Sequence, residues 1–133
     1  MTTRKKYIQL IQDACRKMKM RKANLEALKS MNHDFKSESL NGFCYDATEA
    51  ALFLFGRNEK LEPVKKGKGP TGHYWLLDES TNTPVDIISL PSDPEYDYSG
   101  YKVAHLLKNK IKPGKRAQKI IDMVTDQLKN VAP

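Results

Sequence analysis

Thirteen consecutive residues, CYDATEAALFLFG from Cys44 to Gly56, contain no proline and no glycine before the last, and they carry Ala47, Ala50, Ala51 and Leu54. A run of this kind predicts a helix buried on most of its sides, with Gly56 as its C-terminal stop. A chain of 133 residues has room for one moderate core, so the other elements must assemble around this helix. Cys44 then sits in its first turn.

The remaining elements follow from their periods. From Thr3 to about Met20, Tyr7, Ile11, Ala14 and Met18 recur at three- and four-residue intervals and predict an amphipathic helix. Cys15 lies inside it and packs as a small hydrophobe. A short helix over Ala23 to Met31 with Leu25 and Leu28 inward precedes a polar loop with an exposed His33. LEPV reads as a strand that passes into the surface loop KKGKGPTG. HYWLLDE and PVDIIS read as two strands joined at STNT. LPSDPEYDYSG is turn-rich, and KRAQKIIDMVTDQLKNV closes the chain as a helix with Ile120, Ile121, Val124, Leu128 and Val131 inward. The expected fold class is α+β in a single domain, 1–133: a helical segment over 1–40, and over 41–133 a Cys-bearing helix packed on a small antiparallel sheet with a closing helix.

Charge narrows the partners. Lys and Arg number 23 against 16 Asp and Glu, a net +7 gathered at RKK, RKMKMRK, KKGKGP and KNKIKPGKRAQK. That excess makes nucleic acid a possible partner, the alternative being lysines that merely keep a small protein in solution. The longest apolar run, AALFLF at Ala50 to Phe55, is far too short to span a bilayer, and there is no signal-peptide pattern. The expectation is a soluble intracellular protein with no membrane partner. Two cysteines without a paired spacing predict neither a disulfide framework nor structural zinc, and the expected metal and cofactor content is none.

The chemistry centres on Cys44, His73 and Asp86. A thiol in a helix first turn is favoured as thiolate by the dipole and the unpaired N–H groups. The same N–H groups can bind an oxyanion, with Asn41 as a further side-chain donor. His73 opens a strand, and Asp86 follows it by thirteen residues. If the two strands pair through an even-length loop, opposing residue numbers sum to an odd number, and Asp86 shares a face with His73 and Trp75. Asp86 can then fix the imidazole tautomer. An odd loop or a bulge reverses that placement. Each residue also has a plainer role: Cys44 in the core, His73 at a strand entrance, Asp86 in a turn. Trp75 is a substrate platform or core. Lys112, Lys115 and Arg116 open the last helix, where cationic groups and helix N–H groups together can hold an anion such as a substrate phosphate.

Order and context resemble the papain-like and transglutaminase-like cysteine enzymes, in which a helix-borne Cys precedes a strand His and a further Asp or Asn. More closely, GFCYDATEAALFLFG, LEPVKK, GHYWLLDESTNTPVDII, YSGYK and KPGKRAQKIIDMV are similar to small bacterial and phage proteins of the YunG-like group. The similarity spans roughly Asn41 to Val124. It implies a papain-like core, a bacterial cytoplasmic setting, and Cys44, His73 and Asp86 as nucleophile, base and orienting acid. Two positions depart from the pattern. Ile88 stands where a threonine is expected, removing a polar neighbour of the site, and Gly114 replaces a serine, removing a helix cap.

Two functions of different kind follow. The first is a cysteine hydrolase or acyltransferase that attacks an amide, ester or thioester, its substrate an acyl-bearing protein, peptide or small conjugate. The second is a non-catalytic phage-type binding protein on the same scaffold, engaging a host protein or nucleic acid through its basic surface. Zinc held by Cys44, His73 and Asp86 is a third possibility that the spacing does not require.

Overall fold

A computed structural model describes residues 2–20, 22, 25–26, 43–56, 59–67, 72–88 and 95–131. Along the chain these form α1 (Arg4–Arg16), α2 (Cys44–Phe55), β1 (Leu61–Lys66), β2 (His73–Asp78), β3 (Thr83–Val85), β4 (Lys102–Val103), α3 (His105–Lys108) and α4 (Lys115–Val131). The fold is α+β, with helices packed on a small antiparallel sheet. The helix expected over Ala23 to Met31, apart from helical Leu25 and Glu26, lies outside the described residues, as do His33 and Asn41.

The α1 helix starts where the Thr3 hydroxyl accepts from the Lys6 N–H at 3.1 Å, and it ends at Lys17, short of Met20. Its buried residues are Ile8, Leu10, Ile11, Ala14 and Cys15, whereas Tyr7 and Met18 sit half-buried at the margin. The stripe is wider than the sequence period implied because α1 packs against both α2 and α4. The α4 helix has the expected bounds and buries Ala117, Ile120 and Val124; the side chain of Val131 lies outside the described residues.

The α2 helix is the hub, and it buries polar as well as apolar groups. Asp46, Thr48 and Glu49 are almost fully enclosed, and each has a partner, as burial demands. Arg116 Nε donates to Asp46 at 2.7 Å, the Thr48 hydroxyl donates to the Tyr74 carbonyl at 3.2 Å, and Glu49 accepts from Lys110 Nζ at 3.0 Å.

Among the described residues the strand order is β3-β2-β1-β4, antiparallel throughout. Pro63 sits inside β1, where its carbonyl accepts from the Ala104 N–H at 2.9 Å. The N–H it lacks would have pointed to that same β4 side, so the β1–β2 ladder loses nothing. Strand alternation divides the sheet's apolar residues. Leu76 joins the helix-lined core with Ile11, Ala47, Ile87 and Ile120. Trp75 and its cross-strand partner Val64 point to the opposite face. Both are fully buried there. Among the described residues no helix is long and apolar enough to cross a membrane.

Candidate active site

The hairpin register decides where Asp86 points. Leu76 pairs with Val85, Leu77 with Pro84 and Asp78 with Thr83, so each sum is odd. The connecting turn closes through Asn82 at φ 55°, a conformation Asn tolerates better than most residues. One step beyond the ladder, Asp86 falls opposite Trp75 and on the face of His73. The outcome is a contact of 2.6 Å between His73 Nε2 and Asp86 Oδ2. Asp86 Oδ1 accepts from the Ile88 N–H at 3.3 Å. From α1, the Gln12 side-chain amide donates to the carbonyls of Ile87 (2.9 Å) and Ile88 (3.2 Å), fixing the backbone immediately after Asp86.

Cys44 reaches the same place from α2. The N-cap, Phe43, makes no side-chain hydrogen bond to the first turn, a role that Ser or Asp ordinarily fills. The Cys44 thiol donates to the Gly72 carbonyl at 3.3 Å, one residue before His73. Cys44 is also near enough to His73 to bear on the charge of its ring. Burial pushes the His73 imidazole toward neutrality, but hydrogen bonds to Asp86 and Cys44 outweigh it and raise its pKa to about 9. The direction of that shift favours the protonated ring. Cys15 is the opposite case: burial, reinforced by the Asp46 charge, pushes its thiol up to about 12, and it stays protonated in the core.

Two residues that sequence reasoning passed over complete the site. The Tyr98 hydroxyl donates to Asp86 Oδ2 at 2.8 Å. Tyr96 stands edge-on to the His73 ring, with centroids 5.1 Å apart. Lys66 holds their segment to β1 by donating to the Asp97 carbonyl at 2.6 Å. The available signal was the clustering of Tyr96, Tyr98 and Tyr101, three of the chain's six tyrosines, inside a stretch that reads as turns.

Other expectations need correction. Trp75 is no substrate platform, because it has 0% exposure and is enclosed by His73, Tyr96, Tyr98 and Tyr101. Arg116 is no anion ligand, since its guanidinium is taken by Asp46 and by the Lys19 carbonyl at 2.7 Å. The start of α4 is likewise filled by the protein itself: the Gly114 N–H donates to Glu49 at 2.5 Å. That carboxylate, arriving from α2, accepts from the N–H of residue 114 itself, whereas a serine hydroxyl at 114 would accept from N–H groups two or three residues further on. Ile88 costs the site little, because its side chain belongs to the core while its N–H serves Asp86. Lys115 is exposed and lines a groove of about 480 Å³ with Lys17, Met18, Lys19, Arg116 and Lys119. Among the described residues no cluster of three or more His, Cys, Asp or Glu is arranged to hold a metal ion.

No family model, curated protein or solved structure matches the chain.

Proposed function

We propose that the protein is a cysteine hydrolase or acyltransferase with a papain-like core and a Cys44–His73–Asp86 triad. The observation that carries this reading is the partly buried 2.6 Å His73–Asp86 contact, with the Cys44 thiol at a helix start bonded to the carbonyl of Gly72, next to His73. An imidazolium between a carboxylate and a sulfur is the charge pattern of an activated cysteine.

In the forward step Cys44 sulfur bonds to the carbonyl carbon of an amide, ester or thioester. The Cys44 backbone N–H receives the oxyanion. As the tetrahedral species collapses, the carbon–leaving-group bond breaks and His73 gives its proton to the leaving group. An incoming water or amine then loses a proton to His73, attacks the thioester and releases the thiolate. Asp86 keeps the ring oriented throughout. On this reading the enzyme works in a bacterial cytoplasm, that of the host if the chain is phage-encoded.

The test is Cys44 alkylation by iodoacetamide against pH, with Cys15 resolved by mass spectrometry. Wild-type Cys44 is expected to react near pH 6 roughly 100-fold faster than a free thiol of ordinary pKa, and His73→Ala is expected to remove that advantage. A Cys44 that is inert, or that titrates alike in both proteins, ends the enzyme reading.

The basic groove favours a second reading, a binding protein for nucleic acid. Lys17, Lys19, Lys115 and Lys119 line it with no carboxylate among its lining residues. If it binds nucleic acid, retention weakens steeply with salt, and replacing the four lysines by Gln lowers the slope of log K against log salt by about 3 to 4. Salt-insensitive or absent binding removes this reading.

A further inference from the structure

Asp86 is held at both ends of its carboxylate. Oδ1 meets the Ile88 N–H at 3.3 Å, and Oδ2 meets two donors, His73 Nε2 at 2.6 Å and the Tyr98 hydroxyl at 2.8 Å. At 2% exposure, Asp86 is nearly closed to solvent. A buried carboxylate oxygen with two donors divides its charge between them, and each tempers its hold on the other. We infer that Tyr98 is a positioning residue, one that clamps the Asp86 carboxylate and limits how tightly it holds the His73 proton. The inference rests on the triad reading above and adds the control of its acid–base strength.

The surroundings favour a tuning role over simple packing. The Tyr98 ring already packs edge-on against Trp75 (5.1 Å) and Tyr96 (4.7 Å), so the fold keeps that ring without its hydroxyl. The segment carrying it is anchored independently, through Lys66 on the Asp97 carbonyl and through the Ser99 hydroxyl on the Asp97 carboxylate at 2.5 Å. The titratable groups around the pair are Cys44 from α2, Lys66 opposite His73 on β1, and Tyr96 and Asp97 from the tyrosine segment. Lys66 is engaged by Asp97. Tyr98 is thus the neutral donor through which the aromatic segment reaches Asp86. A carboxylate that loses this donor is a stronger base toward His73, which then keeps its proton to higher pH. An imidazolium that gives up its proton less readily is a weaker acid for a leaving group.

The experiment follows the His73 imidazole by NMR across pH in the full chain. In Tyr98→Phe its midpoint is expected to rise by about half to one unit, a fraction of the roughly one to two units that a whole hydrogen bond to a charged group is worth. Tyr101→Phe removes a hydroxyl from the same aromatic wall and is expected to leave the midpoint in place. In the wild type the Tyr98 Cζ shift is expected to follow the His73 titration, a readout that needs no variant to fold. An unmoved or lowered midpoint in Tyr98→Phe, or a Tyr98 signal blind to His73, overturns the inference. These readouts do not depend on Cys44 chemistry. A shifted midpoint with an inert wild-type Cys44 sinks the enzyme reading and keeps the Tyr98 assignment, and a reactive Cys44 with no shift does the reverse.

Discussion

The two faces of the sheet are built on different principles. On one, Leu76 packs with side chains from α1, α2 and α4, and the apolar residues come from helices whose period repeats along the chain. On the other, beside Val64, Trp75 is covered by three tyrosines from a segment without regular secondary structure. The first face gathers apolar area. The second adds hydroxyl groups and ring edges, and His73 and Asp86 belong to it. On the helix side Arg116 supplies a cation to the buried Asp46, whereas the tyrosine face supplies a neutral side-chain donor to Asp86 through Tyr98. Asp86 can thus keep its charge for His73.

The strongest way to break this comparison is to empty each face in turn. Trp75→Ala and Ile120→Ala remove fully buried side chains from opposite sides of the sheet, and urea unfolding should register losses of about 3–5 and 2–5 kcal/mol respectively. The distinction lies in the site. Trp75→Ala should abolish the low-pH reactivity of Cys44, because the wall behind His73 is gone, while Ile120→Ala should leave that profile unchanged. Equal effects on Cys44 would mean that the two faces share one role.

The same division explains what the sequence made legible. The bounds of α4, the burial of α2 and the odd-sum hairpin rest on local periods and an even turn, so they could be read from neighbouring residues. The partners that finish the site could not. Glu49 and Gly114 are 65 positions apart, and Lys66 and the Asp97 carbonyl are 31 apart. A two-residue strand such as β4 and a four-residue helix such as α3 offer no period to detect. Arg116 looked like an anion ligand because its partner, Asp46, sits 70 residues away. Trp75 looked available because alternation says which face a side chain takes, not what covers that face.

A smaller effect sharpens the electrostatic half of the comparison. The folded pKa of His73 is raised from 6.5 to about 9. Its contribution to stability is therefore complete below about pH 6.5, where both folded and unfolded chains hold the proton. It drains away up to about pH 9, as the unfolded chain alone has lost it. Across that window the stability difference between the wild type and His73→Gln should fall with pH, by at most about 1.4 kcal/mol per unit. Urea titrations at intervals across the window measure the slope. A flat difference would mean that His73 is neutral in the folded protein, and the tyrosine face would then hold no charged pair.

The smallest effect belongs to the helix-packed side. Gly114, whose carbonyl accepts the first helical bond from Gln118 at 2.8 Å, gives its own N–H to Glu49. A serine there would bring a hydroxyl suited to the N–H groups of the first turn, beside a Gly114 N–H that Glu49 already takes. Its Cβ would lie 3.2 Å from Lys110 Nζ, the tip of a flexible side chain, and 3.4 Å from Glu49 Oε2. A displaced lysine tip is cheap, and replacing Gly by Ser at a cap gains only a few tenths of a kcal/mol. Gly114→Ser should therefore stay within about 0.5 kcal/mol of the wild type in thermal unfolding. A larger gain would mean that Glu49 caps α4 poorly. A loss beyond about 1.5 kcal/mol would mean that the added side chain pushes Glu49 off the Gly114 amide and leaves a buried carboxylate short of a donor. In either case the charge on this face would be less securely matched than the Asp86 charge on the other.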